Sequence, residues 1–171
     1  MSENLAAQIL TACAQRGFYL ACAESLTGGL LSDAFVSVPG ASAVFLGSAV
    51  TYHLGAKNHL LGVDATVLES EGAVDPRVAL QMAAGTAKLY STAVPSDRVV
   101  GISTTGVAGP DSDGFKPVGL VYVGVKIPDE EPQVRELHLQ GERQQIRRAA
   151  VDEALKFTVA RLLTSVDASR V

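Results

Sequence analysis

The amino-acid sequence predicts an α/β protein, a three-layer α/β/α domain built on a mixed, mostly parallel sheet. Three observations carry that expectation. Segments of helical spacing alternate with short apolar runs through the first hundred residues. Those apolar runs lack the in–out alternation of a half-solvated strand, so they read as strands covered on both faces. Two further runs come late, separated only by residues 128–132, and a hairpin there makes the sheet mixed.

Each element has a local reason. Residues 3–16 place Leu5, Ile9, Ala12 and Cys13 on one face, and Gly17 stops the run. Residues 18–23 are almost wholly apolar and form the first strand. After the polar turn Glu24-Ser25-Leu26-Thr27-Gly28-Gly29, Leu31, Ala34, Phe35 and Val38 recur at helical spacing until Pro39-Gly40. Residues 44–52 give a second strand, and 53–61 a short helix closed by Gly62. Thr66 with Glu69 has the form of a capping box. Asp75-Pro76 is a stronger start signal, a capping carboxylate followed by proline at the first helical position. The helix it opens turns Val78, Met82 and Leu89 inward and reaches Tyr90. Residues 98–103 are a third strand, followed by a loop of hydroxyls, glycine, proline and aspartate from Thr104 to Gly114. Strands at 118–127 and 134–139 precede a last helix opened by Gly141-Glu142, with Val151, Leu155, Val159 and Leu162 as its stripe. Residues 168–171 are expected to fray. No repeat, linker or low-complexity tract divides residues 1–171, which read as one domain.

Composition narrows the function. The chain has 171 residues, 47% hydrophobic and 19% charged, which excludes intrinsic disorder. Fourteen basic and eighteen acidic residues leave a net charge of −4, which argues against direct binding of nucleic acid through its phosphates. Residues 34–56 carry no formal charge, but Pro39, Gly40, Gly47 and Gly55 interrupt them, so no membrane span is expected. Glu3 near the start and the absence of a basic leader point to the cytoplasm. Cys13 and Cys22 read as small buried hydrophobes. The three histidines have no carboxylate partner at ligand spacing, so no metal site is expected.

In open sheets of this class, ligands sit beyond the carboxyl ends of strands. Two strand ends here are rich in hydroxyls and glycine. At the first, Ser25 stands before Thr27, Gly28 and Gly29, where backbone amides and a helix N-terminus favour negative charge. Ser25 reads as a nucleophile, as part of a phosphate-holding turn, or as an ordinary N-cap. Lys57, with Tyr52 before it, lies in a mostly uncharged stretch where desolvation would make it a base. His53 and His59 compete for that role. At the second end, Thr104, Thr105, Asp111 and Asp113 suit a phosphate, a ribose or a cation, or simply a surface turn. Arg143, with Arg147 and Arg148, offers bidentate donors at the start of the last helix.

Together these pieces resemble a known family. The blocks are Ala23-Glu24-Ser25-Leu26-Thr27-Gly28-Gly29, Ser37-Val38-Pro39-Gly40-Ala41-Ser42, Thr51-Tyr52 with Lys57, Leu61-Gly62-Val63 and Gly72-Ala73-Val74. They continue through Thr105-Gly106-Val107-Ala108-Gly109-Pro110, Lys116-Pro117-Val118-Gly119 and Gly141-Glu142-Arg143. In these the chain resembles the C-terminal domain of the competence/damage-inducible protein CinA, the PncC-type nicotinamide-nucleotide amidases. The resemblance implies a serine amidohydrolase that converts nicotinamide mononucleotide to nicotinic acid mononucleotide and ammonia, with no metal or other cofactor. Ser25 would attack, Lys57 would carry the proton, and Tyr52 would hold the lysine. Substrate contacts fall on Thr27, Gly28, Gly29, Thr105, Gly106, Gly109 and Arg143, the last meeting the phosphate. The expected partner is a small pyridine nucleotide, and the expected assembly a homo-oligomer.

The chain departs from the family pattern at three places. Leu26 replaces a usual cysteine, His53-Leu54-Gly55 follows Tyr52 in place of a serine and an asparagine, and Asp111-Ser112-Asp113 follows Pro110. These leave a second reading, a nucleotide-binding module that has lost turnover.

Overall fold

The computed structural model describes residues 2–94 and 97–167, with side chains from residue 4 to residue 164. The expected fraying of residues 168–171 lies outside them. Five strands form one sheet: β1 (Tyr19–Glu24), β2 (Phe45–Val50), β3 (Val99–Gly106), β4 (Leu120–Lys126) and β5 (Gln133–His138). Among the described residues six α-helices cover it: α1 (Ser2–Arg16), α2 (Leu30–Val36), α3 (Leu54–Leu61), α4 (Ala65–Glu71), α5 (Pro76–Ser91) and α6 (Arg143–Asp167).

The strand order is β2-β1-β3-β4-β5. β1 pairs in parallel with β2 and β3, while β4 runs antiparallel to both of its neighbours. Four of the five strands therefore share one direction, and the sheet is mixed as expected. Helices α1, α2 and α6 pack on one face over Leu20, Cys22, Val100, Ile102, Val121 and Val123. Helices α3, α4 and α5 cover the other, where Val78, Met82 and Ala79 meet the sheet. This is the three-layer arrangement, and burial on both faces is why the strands read as unbroken apolar runs.

Helix α5 lies close against the strands because the sheet carries glycine beneath it. A Cβ at Gly101 would fall 2.0 Å from the Ala83 carbonyl oxygen, and one at Gly124 2.4 Å from that of Ala79. Hydroxyls tie the same surfaces: Ser103 Oγ donates to the Ala79 carbonyl at 2.6 Å and Thr86 Oγ1 to that of Cys22 at 3.0 Å.

Three details differ from the sequence reading. β3 runs to Gly106, so Thr104 and Thr105 are strand residues rather than loop residues. Thr104 pairs in parallel with Glu24 of β1 and antiparallel with Val123 of β4, and Thr105 pairs with Tyr122 of β4. The cap of α4 is Asp64, whose carboxylate accepts from the Thr66 amide at 2.8 Å; Thr66 sits inside the first turn, and the capping box with Glu69 is not formed. Leu89 is 37% exposed, because it falls outside the Val78, Ala79, Met82, Ala83, Thr86 and Ala87 stripe that α5 buries.

The chain crosses from β1 to β2 through α2 on one face, then back past β1 to β3 through α3, α4 and α5 on the other. The strand order thus reverses between β1 and β3, which opens a crevice at their carboxyl ends. Glu24 ends β1 there and Ser25 follows it, Val50 ends β2 and Thr51 follows it, and Gly106 ends β3.

Candidate active site

Ser25 begins a tight turn. Its amide donates to the Thr104 carbonyl at 3.0 Å, one rung past the last pair of the parallel ladder. The chain then reverses through Gly28 and Gly29 at φ 54° and 103°, left-handed values that glycine adopts without a Cβ clash. The side chain of Ser25 is 7% exposed.

Glu24 fixes this turn from beneath and is fully buried. Its Oε2 accepts from Thr27 Oγ1 at 2.7 Å and from the amides of Gly29 and Leu31, each at 3.0 Å. Its Oε1 accepts from the Ser32 amide at 3.0 Å and Ser48 Oγ at 2.9 Å. The carboxylate therefore caps the free amides at the start of α2, where its charge meets the helix dipole. With both oxygens engaged, Glu24 makes no ion pair with Lys57.

Lys57 rises from α3, and its side chain is 0% exposed. Its Nζ donates to the Thr51 carbonyl at 2.6 Å and to the Tyr52 carbonyl at 3.2 Å, and lies 3.0 Å from Ser25 Oγ. Burial pushes its pKa down to about 8 from an ordinary 10.5, since no carboxylate compensates the lost hydration of the ammonium. A neutral amine has two N–H donors and one lone pair. Two carbonyls take the donors here, which leaves the lone pair for the Ser25 hydroxyl. The contact expected between Lys57 and Ser25 is therefore present, and the arrangement suits proton transfer from a serine to a lysine.

The other expected site residues fall into two groups. Gly28 and Gly29 shape the serine turn, and Thr27, fully buried, bonds Glu24 and Thr104 Oγ1 (2.8 Å). Its hydroxyl supports the turn rather than facing an open crevice. Tyr52 holds Lys57 through its backbone carbonyl, while its side chain is 64% exposed. Thr105 Oγ1, also fully buried, donates to the Ala73 carbonyl at 2.6 Å on the α5 side of the sheet. Gly106 permits close approach of β4, because a Cβ would meet the Leu120 carbonyl at 2.5 Å. Gly109 accepts from Arg143 Nη1 at 2.5 Å through its carbonyl, so Arg143 is tied to the loop after β3. His53 caps α3 through Nδ1, which accepts from the Gly55 amide, and His59 Nδ1 bonds the Gly55 carbonyl. Both rings are engaged by backbone rather than by Ser25. Among the described residues, no three His, Cys, Asp or Glu side chains come together as a metal site. Both cysteines are free and buried; burial pushes the Cys13 thiol up to about 12 and the Cys22 thiol upward too.

Two contributions to the site go beyond the sequence reading, which offers Arg147 only as a bidentate donor and Thr51 only within a block of the resemblance. Thr51 supplies the shortest acceptor for Lys57, and its own fully buried Oγ1 has no hydrogen-bond partner among the described residues. Arg147, on α6, donates from Nε to the Leu26 carbonyl at 2.7 Å and from Nη2 to the Thr27 carbonyl at 2.9 Å. Backbone acceptors leave no mark in a sequence, so neither contact had a signal to find.

A three-layer α/β domain with a buried serine–lysine pair at the carboxyl ends of its parallel strands is the class that fold and geometry define. The chain belongs to the CinA C-terminal domain family, whose profile matches residues 2–162. A CinA-like protein of Frankia casuarinae is 42% identical over 170 residues, which cover 99% of this chain and 37% of that protein. A Clostridium botulinum protein named for competence-damage induction is 44% identical over 156 residues, 91% of this chain and 36% of its own length. The chain thus spans little more than a third of these relatives. Among solved structures, a competence/damage inducible protein from Agrobacterium tumefaciens superposes with a TM-score of 0.83 at 35% identity, over 93% of this chain and 94% of that one. A CinA superfamily protein from Klebsiella pneumoniae gives 0.85 at 25% identity, over 96% and 99%.

Proposed function

We propose that this domain is a nicotinamide-nucleotide amidase, a serine hydrolase that cleaves the carboxamide of nicotinamide mononucleotide in cytoplasmic pyridine nucleotide salvage. One observation carries the reading. Lys57 Nζ, buried and without a carboxylate partner, lies 3.0 Å from Ser25 Oγ with two carbonyls fixing its remaining donors. Membership of the CinA family, with the amidase resemblance of its motif blocks, supports the choice of substrate class.

In this reading Ser25 Oγ attacks the carboxamide carbon while Lys57 takes its proton. Collapse of the tetrahedral intermediate breaks the C–N bond, and Lys57 returns the proton to the leaving ammonia. Water then attacks the ester carbonyl, Lys57 receives its proton, and the carboxylate leaves as Ser25 is restored. The Leu26 and Thr27 amides bond no acceptor among the described residues and are the nearest donors in sequence for the oxyanion. Arg143, exposed beside Gly109, meets the phosphate.

The test is ammonia release measured beside free nicotinamide and the dinucleotide. The reading expects turnover of the mononucleotide above both. Binding of the mononucleotide without ammonia would instead mark a nucleotide-binding module that has lost turnover.

A further inference from the structure

The Ser25 turn is gripped from two sides. On the amide side, Glu24 takes the N–H groups of Gly29, Leu31 and Ser32. On the carbonyl side, the Arg147 guanidinium spans two successive peptides, Leu26 and Thr27, while its Nη1 donates to Gln144 Oε1 at 3.0 Å. The planar guanidinium reaches the two carbonyls with separate nitrogens in a fixed fork; a lysine ammonium has donors but no such rigid spacing between them. Gly28 leaves room for this contact, since a Cβ there would lie 3.2 Å from Arg147 Nη2.

A held carbonyl also fixes the amide behind it. In a trans peptide the C=O of one residue and the N–H of the next point in opposite directions. With the Leu26 carbonyl on Arg147, the Thr27 N–H points to the opposite side of that peptide. It bonds no acceptor among the described residues. The neighbouring Gly28 N–H is used within the turn, on the Ser25 carbonyl at 3.1 Å.

We infer that Arg147 is a positioning residue. It holds the serine turn so that Ser25 Oγ stays on Lys57 and the Thr27 amide stays available as a donor. This rests on the reading of Ser25 as nucleophile, and it assigns Arg147 to the turn rather than to the substrate's phosphate.

The test compares the full chain with Arg147→Met and Arg147→Lys, using two readouts. The first is the rate at which Ser25 displaces fluoride from phenylmethylsulfonyl fluoride, read by intact mass with Ser25→Ala as the blank. That probe carries no anion, so loss of a phosphate contact cannot slow it. The second is kcat and KM for nicotinamide mononucleotide. Misplacement of a reacting group by about 1 Å costs about 100-fold, so Arg147→Met should lose about that factor in sulfonylation and in kcat, with KM within a few-fold. Arg147→Lys should fall between it and the wild type, and its thermal transition should stay cooperative. Wild-type sulfonylation rates in Arg147→Lys, or in Arg147→Met with only KM raised, would overturn the inference and return Arg147 to substrate binding. Sulfonylation of the wild type that does not depend on Ser25 would instead remove the nucleophile reading, and the inference with it.

Discussion

Lys57 is the residue on which the proposed chemistry turns. Burial disfavours its ammonium and brings the pKa to about 8, so at neutral pH a useful fraction is free amine. The sign of the resulting pH dependence is fixed. The base is the deprotonated form, so kcat/KM should rise about tenfold per pH unit on the acid side and level off above about 8. A profile flat from pH 6 to pH 9 would remove Lys57 as the base. Stability has its own dependence, because an unfolded lysine titrates near 10.5. Between about 8 and 10.5 the unfolded chain binds the extra proton, so this residue's contribution to stability improves as pH rises through that window. Legibility at this scale was uneven. Ser25 announced itself through local signals, a hydroxyl and two glycines between an apolar run and a helix. Its partner lies 32 positions away and was singled out by the resemblance, not by spacing. Arg147 reaches the Leu26 carbonyl across 121 positions, and an arginine near a helix start looks the same whether it meets solvent or a turn.

At the scale of elements, the site depends on how α3 is seated, because α3 carries Lys57. It packs on α5 at Gly85, where a Cβ would fall 2.0 Å from the Leu61 carbonyl oxygen. Gly85→Ala must therefore push the two helices apart. Overpacking of this kind costs about 1–3 kcal/mol, and we expect a matching loss of unfolding free energy in urea, together with reduced turnover as Lys57 Nζ moves off Ser25. A variant as stable and active as the wild type would show that α3 is not held at this contact. The helices and strands were legible because their apolar spacing is set by two-sided burial. The end of β3 was not: Thr104, Thr105 and Gly106 have loop chemistry, and pairing with β4, joined at Thr104 by pairing with β1, makes them a strand. That extension decides which way the hydroxyls point, with Thr104 on Thr27 and Thr105 on Ala73 across the sheet.

For the molecule as a whole, the sheet order brings three strand ends together, and each supplies one part of the site. Ser25, the proposed nucleophile, follows β1; Thr51 and Tyr52, whose carbonyls hold the lysine, follow β2; and Thr104, near the end of β3, receives the Ser25 amide. The net charge of −4 suits the proposed small-molecule substrate better than it would a nucleic-acid backbone. The central claim is that Ser25 and Lys57 work as one unit on a carboxamide. Ammonia release from nicotinamide mononucleotide tests it most directly when wild type, Ser25→Ala, Lys57→Met and the double variant are measured side by side. Residues that act as a unit are not additive, so each single variant should lose about 1,000-fold or more, and the double variant should lose no more than the worse of the two. Either single variant retaining activity within a few-fold of wild type, or two losses that multiply in the double variant, would contradict the account.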